Sequence, residues 1–336
     1  MNVTHTLDFG KAFIKGLLEI AICLFVLSLV VFYMARLAPG DPLRAYYGDS
    51  AERMSASQRL QAEEKLGLDQ PLLEQYGIWL KGAVRGDFGI SFQYKQPCTA
   101  VIGNLWQNTA LLGGLSYLLT FLLALLIGCF CAMREGSLWD RLLGKLSMLF
   151  SAIPSFWIAL LLILLFSVNL GLLPSGGAYD PGGEGNWQDR AVHLILPLAV
   201  LVLGHVWYYA YLIRSRLLEE LRKDYVVFAL SKGLSGKAVL YRHCLRGILP
   251  YFISLMALSV PHILGGTYIV EKVFSYPGLG TLSFESAKYH DYNLLMVLTL
   301  LTAFFVILCH MAAQFLSQSL DPNMRGGKGF GFQTYE

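Results

Sequence analysis

Within the long apolar runs of this sequence, the candidates for buried acid-base chemistry are Glu19, His205, His262 and His310. A charged side chain at the centre of a membrane span costs about 2.5 to 3.5 kcal/mol on insertion scales, so such groups usually mark proton or ion relays. Glu19 lies near one end of its run, and the histidines fall in separate runs with no carboxylate or cysteine at ligand spacing. They read as helix-packing histidines rather than metal ligands. No H-E-x-x-H, G-x-S-x-G or C-x-x-C pattern occurs, which removes the usual zinc, nucleophile-elbow and dithiol chemistries. The stretch Gly233-Leu234-Ser235-Gly236-Lys237-Ala238 is faintly like a phosphate loop. It lacks the four-residue gap between glycines and the hydroxyl residue that would hold magnesium. The chain is expected to be no enzyme and to hold neither a cofactor nor a metal.

The residues with the most to do are mechanical. Arg214 to Gly247 lies between two apolar runs and carries eight positive charges against three negative ones. Lys and Arg beside membrane spans stay on the cytoplasmic side, so this segment reads as a cytoplasmic loop. Inside it, Asp224 to Leu234 reads as a short helix with Asp224 as N-cap, Lys232 at the negative end of the helix dipole, and Gly233 in the left-handed conformation that ends it. Tyr225, Val226, Phe228, Ala229 and Leu230 would then offer an apolar patch suited to a groove in a partner.

These parts need a membrane setting, and composition supplies one. The chain of 336 residues is 55% hydrophobic and 15% charged, far from the quarter charged that is typical of soluble domains. The basic loop sits beside apolar runs without a basic aromatic platform, so nucleic-acid binding is excluded as a function class. Of six cysteines only Cys98 falls in a predicted external loop, so no disulfide framework is implied. Six runs are long and apolar enough to cross a bilayer as helices: 17–35, 110–132, 146–170, 194–213, 248–270 and 294–316. No A-x-A-like cleavage site follows the first, so it reads as a retained span. Connections on one side carry 15 Lys and Arg and short connections on the other carry three, which predicts a multi-pass protein with both termini, 1–16 and 321–336, in the cytoplasm.

Residues 36–109 would form an external segment. Ser55 to Leu66 and Pro71 to Val84 read as helices closed by Gly67 and Gly86, a cap suited to meeting another protein. The last stretch, 110–320, would hold spans two to six with the loop 214–247. Pro154, Pro197, Pro250 and Pro261 would each free a backbone carbonyl and kink a helix, which is tolerated where helices surround a cavity. Pro154 with Ser155, His205, and Pro261 with His262, Gly265, Gly266 and Glu271 are the candidate path or gate residues.

At the basic loop the sequence resembles the membrane permeases of binding-protein-dependent ABC importers, in their dipeptide, oligopeptide and nickel branch. The resemblance rests on Asp224-Tyr225, Ala229, Lys232-Gly233-Leu234, Arg242-His243 and Leu245-Arg246. It extends to Pro39-Gly40-Asp41-Pro42, Leu66-Gly67-Leu68-Asp69, Pro71-Leu72, Gln75-Tyr76, Gly86-Asp87-Phe88-Gly89, Ser91 and Asn108-Thr109. Toward the end Glu271, Val273-Phe274, Pro277-Gly278-Leu279-Gly280, Asp291-Tyr292, Leu320-Asp321-Pro322 and Arg325 continue it. Val227 and Phe228 replace more polar residues, Tyr276 a common tryptophan, Asn293 a common proline, and the glycine-rich tail from Gly326 has no counterpart.

The resemblance implies an all-α integral membrane protein with six transmembrane helices and a helical segment outside. It implies a homologous second permease sharing the translocation path, two ABC ATPase subunits that bind ATP and Mg, and an external substrate-binding protein, all in the cell (inner) membrane. Asp224, Tyr225, Val226, Ala229, Lys232, Gly233 and Leu234 would be the ATPase-coupling residues. Peptides, nickel and metal chelates are the branch's solutes, and 70–76, 87–92 and the connection 171–191 lean toward its nickel-type members. The competing class is a self-sufficient secondary transporter or channel driven by an ion gradient, against which the scarcity of intramembrane acids argues.

Overall fold

A computed structural model describes residues 3–37, 41–183 and 185–320, with side chains from Gly16 to Leu316 apart from Pro42 and the gaps. The motif residues Pro39 and Gly40, the run from Asp321 through Arg325 and the glycine-rich tail lie outside the described residues. Among the described residues the secondary structure is helical, with one isolated antiparallel bridge between Ile90 and Pro97. Five stretches are long and apolar enough to cross a membrane: Gly16–Leu37, Cys98–Ala132, Trp187–Leu221, Gly236–Val273 and Tyr292–Leu316.

The sixth expected span, 146–170, is not one straight helix. Leu138–Ala152 and Ser155–Asn169 meet at 98°, so the pair counts as a sixth span only if a broken helix crosses as one. The break follows from Pro154, which lacks an N–H and pushes its predecessor out of the helical region. Ile153 is accordingly extended, at φ −86° and ψ 122°. Pro197, Pro250 and Pro261 lie inside continuous helices, so of the four prolines only Pro154 breaks one.

By internal contact the chain divides into two compact units. One comprises the chain through Ala110 together with Pro277–Leu308. It contains α1 (Val3–Leu37), α2 (Pro42–Tyr47), a 3-10 turn (Gly48–Arg53), α3 (Ala56–Lys65) and α4 (Leu72–Ala83). Asp41 caps α2 through the Leu43 N–H at 3.0 Å and receives Arg59 from α3 at 2.6 Å. Ser55 and Gln58 form the reciprocal capping box that starts α3. Gly67, at φ +65°, closes it, and α4 starts and stops within a residue of the sequence expectation. Tyr76 of α4 packs edge-on to Phe32 of α1 at 5.3 Å and shares a 2.9 Å hydrogen bond with Ser28, a polar pair inside an aromatic cluster.

Asp291, fully buried, accepts hydrogen bonds from the Ser91 hydroxyl and the Gln93 N–H, and caps the start of a later helix through Leu294. Asn293 donates to the Ile90 carbonyl at 3.0 Å, a bond that the proline common at this position could not make.

The other unit comprises Leu111–Tyr276 with the residues from Cys309. Its long elements are most of α5 (Cys98–Ala132), α6 (Leu138–Ala152), α7 (Ser155–Leu162) running into a π-helical turn (Ile163–Asn169), and α8 (Trp187–Leu221). After α8 come α9 (Asp224–Ser231), α10 (Gly236–Val239), a second π turn (Leu240–Cys244) and α11 (Leu245–Val273). α12 (Leu279–Lys288) and α13 (Tyr292–Leu320) complete the chain order. α8 is the axis of this unit, with buried apolar residues along its length from Leu194 to Leu218. At 35 residues it spans about 50 Å, so its end projects beyond a hydrocarbon core of about 30 Å. Part of what the sequence presents as a loop, Arg214 to Leu221, is therefore the last two turns of α8.

Candidate functional site

The short helix expected in the basic segment is α9, eight residues from Asp224 to Ser231. Lys223, in an extended conformation and without a side-chain cap bond, occupies the N-cap position expected for Asp224. Asp224 falls in the first turn instead, where its carboxylate still complements the helix dipole. The C-terminal end forms as the sequence predicts. Gly233 has φ +84°, its N–H donates to Leu230 O at 2.9 Å, and the Leu234 N–H donates to Ala229 O at 3.3 Å. That pair of bonds is a Schellman closure, which requires the left-handed residue that glycine supplies. Lys232 lies over the Phe228 ring at 4.2 Å, adding a cation–π contact to its place at the helix end.

The apolar patch differs from its expected membership. Val226 and Ala229, 3% and 8% exposed, are buried in the chain's own core. Their spacing of three places them on one helix face, and that face packs inward. Val227, Phe228 and Leu230 form the outward face, with Tyr225 at its edge. The two residues that depart from the family pattern, Val227 and Phe228, are thus the most exposed apolar residues of α9, at 64% and 61%.

Beside that inward packing, a charged residue of α8 holds α9 in place. Glu220, in the last turn of α8, is buried, and its carboxylate accepts a 2.9 Å hydrogen bond from the Tyr225 hydroxyl. Its other oxygen pairs with Lys223 Nζ at 2.8 Å. The Tyr225 hydroxyl also approaches Cys244 Sγ at 3.7 Å. Burial, then the bonds to Cys244 and Glu220, raise the Tyr225 hydroxyl's pKa above the ordinary tyrosine value. Gly247, near the start of α11, lies so close to Glu220 that a Cβ there would stand 2.5 Å from the carboxylate oxygen. One carboxylate therefore ties α8 to the α8–α9 turn and to α9, and packs against Gly247 of α11. A second tie lies nearby, where Arg214 of α8 grips Asp140 of α6 through two bonds of 2.7 and 2.6 Å, and Gly136 N–H donates to the same carboxylate. A fork of this kind is directional as well as strong.

The candidate path residues separate into two groups. Ser155 lies 4.0 Å from where a Cβ on Gly204 would stand, and a Cβ on Gly266 would stand 3.1 Å from His205 Cε1. Ser155, His205 and Gly266 thus mark a close crossing of α7, α8 and α11. The His205 ring bonds the Leu201 carbonyl at 2.7 Å and stacks on Tyr209. Pro261, His262 and Gly265 are on the exposed side of α11, Pro154 is at the helix break, and Glu271 is fully buried near the end of α11. His310 pairs with Gln314 at 3.0 Å within α13.

Residues 124–326 match the family described as binding-protein-dependent transport system inner membrane component. Residues 10–112 match the N-terminal part of the binding-protein-dependent transport system membrane component. The chain is 36% identical over 311 residues to the oligopeptide transport system permease protein AppB of Bacillus subtilis, covering 92% of this chain and 97% of that protein. It is 28% identical over 305 residues to the metal-staphylopine import system permease protein CntB of Staphylococcus aureus, covering 90% and 94%. Among solved structures, an inward-facing conformation of the MetNI methionine ABC transporter matches with a TM-score of 0.53 at 17% identity, over 66% of this chain and 97% of that one, a likeness of fold. Over nearly its whole length, then, this chain belongs to the binding-protein-dependent inner membrane components, the permease subunits of ABC importers.

Proposed function

We propose that the chain forms half of the translocation path for short peptides delivered by an external binding protein, and that α9 is its point of contact with an ATPase subunit. The observation that carries the coupling role is the outward face of Val227, Phe228 and Leu230 on a helix bonded through Glu220 to the end of α8. An apolar face held on a rigid mount transmits a push, whereas one on a slack loop absorbs it. Asp224, Tyr225, Val226, Ala229, Lys232, Gly233 and Leu234 shape and seat that helix. Two ATPase subunits would bind ATP and Mg, and a homologous permease would supply the other half of the path.

Pro261, His262 and Gly265, exposed on α11, are proposed to face that path or the second permease. Ser155, His205 and Gly266 would form the close helix crossing that moves with it, with Pro154 as a pivot and Glu271 as an anchor. The charge asymmetry of the connections supports an inner-membrane protein with residues 1–16 and 321–336 in the cytoplasm and 36–109 outside. For the solute, similarity to AppB, named for oligopeptides, favours peptides. The second reading, a metal chelate, rests on similarity to CntB, named for metal-staphylopine import.

The test is reconstitution of the chain with its partner permease, ATPases and binding protein in vesicles. Uptake of a peptide retained by that binding protein, dependent on ATP and on the ATPases, is the expected outcome. Uphill uptake by vesicles holding this chain alone would overturn the importer reading in favour of a secondary transporter, and retention of a metal chelate instead of peptides would select the second solute.

A further inference from the structure

The connection between the π turn after α7 and the start of α8 brings together three groups that the transport reading does not use. Asp180, Asp189 and His193 each offer one donor atom, and these atoms lie within 4.8 Å of one another. The His193 side chain is 3% exposed, that of Asp189 is 15% exposed, and that of Asp180 is 78% exposed. His193 Nδ1 lies 3.0 Å from the carbonyl oxygen of Asp189 and 3.1 Å from its Oδ1. A carbonyl and an ionised carboxylate only accept, so the ring carries its proton on Nδ1.

Nε2, on the other side of the ring, faces Asp180 Oδ1 at 3.7 Å. That separation is too long for a hydrogen bond. It does suit two ligands of one ion, because donors about 2.0 to 2.1 Å from Zn²⁺ at a tetrahedral angle stand about 3.4 Å apart. Giving Nδ1–H to a backbone carbonyl or carboxylate is also how metal-bound histidines are oriented.

Around these donors the loop is closely wrapped. The Asp180 N–H donates to Asp189 Oδ2 at 2.9 Å, and Gly183 passes so near that carboxylate that a Cβ there would overlap it. Asn186 caps α8 through the N–H groups of Gln188 and Asp189, which sets the register that places Asp189 one turn before His193.

We propose that Asp180, Asp189 and His193 bind one first-row divalent metal ion of the Zn²⁺ class and so pin this connection to the start of α8. One imidazole with two carboxylates suits such an ion better than Ca²⁺ or Mg²⁺, which favour six or more oxygen ligands. Remaining positions would be filled by water, with entry past the exposed Asp180.

The probe is Co²⁺ added to the full-length chain in detergent, after chelation and desalting. Expected is one saturable equivalent per chain, with visible d–d bands, displaced by equimolar Zn²⁺ but not by excess Mg²⁺ or Ca²⁺. Asp180→Asn, at an exposed position that does not threaten folding, should weaken binding about tenfold or more. His193→Ala should abolish it. Absence of saturable binding to the unaltered chain would overturn the proposal, leaving a hydrogen-bonded loop. So would equal binding by Asp180→Asn, displacement by Mg²⁺ or Ca²⁺, or a near-ultraviolet thiolate band that places the ion on a cysteine.

Discussion

Gly233 and Glu220 impose different kinds of constraint on α9. No atom lies within 4 Å of where a Cβ on Gly233 would stand, so the restriction there is conformational rather than one of space. A non-glycine residue in the left-handed region costs about 1 to 2 kcal/mol, less for asparagine. Gly233→Val should therefore leave the amount of protein in the membrane unchanged while abolishing ATP-dependent uptake, and Gly233→Asn should retain a substantial part of it. Immunoblotting of membranes beside uptake in reconstituted vesicles reads both outcomes. Glu220 is constrained by its partners. Glu220→Ala removes the acceptor of the Tyr225 hydroxyl and the partner of Lys223, and should destabilise this region by about 1 to 3 kcal/mol. Glu220→Gln keeps an acceptor for Tyr225 but not the ion pair, so its loss should be smaller. Hydrogen exchange of the α9 amides would rank them, and equal protection in all three proteins would contradict the role given to this carboxylate.

Between elements, the Asp140–Arg214 fork joins α6 to α8 where both lie near the basic segment. Asp140 is nearly buried, and removing one member of such a pair leaves the other without compensation, at about 3 to 5 kcal/mol when fully buried. Arg214 is one-fifth exposed, so the expectation for Asp140→Ala is below that range, about 2 kcal/mol. Arg214→Lys should recover only part of the interaction in the unaltered protein, because an ammonium cannot reproduce two parallel bonds. Thermal unfolding of the purified chain should order the variants as unaltered, Arg214→Lys, Asp140→Ala, from most to least stable; an indistinguishable Arg214→Lys would show that the fork geometry adds nothing.

Element existence was legible from local signals. Ser55 with Gln58 announces the start of α3, Gly67 its end, and Gly233 the end of α9, because caps act over three or four residues. The boundaries of long helices were less legible. α5 begins at Cys98 rather than near Ala110, and α8 runs from Trp187 to Leu221 rather than from Leu194 to Ile213. Hydropathy reports where lipid can lie, whereas a helix continues for as long as its backbone bonds and packing allow. α12 lay within a connection too short and polar to register as a span.

For the whole molecule, orientation is the property most exposed to test. Lys81→Cys lies at an exposed position in the segment proposed to be external, and Ser231→Cys lies on the exposed end of α9. A membrane-impermeant maleimide should label Lys81→Cys from the outside of intact cells, and Ser231→Cys only in inverted vesicles, each against the labelling of the unaltered chain. The reverse pattern would invert the proposed topology.

The residues alone determined that this chain enters a membrane, where its apolar runs lie, which connections carry the basic residues, and that a short glycine-ended helix sits among them. These follow from composition, from hydropathy over a span's length and from capping chemistry, all of which are local along the chain. Only the tertiary structure decided which face of α9 is free, that Glu220 of α8 helps to hold it, that Pro154 breaks its helix while three other prolines do not, and that Asp180 and Asp189 meet His193. Those outcomes depend on how helices cross and which side chains the crossings exclude from solvent, and no periodicity along a single segment encodes a partner that lies on another.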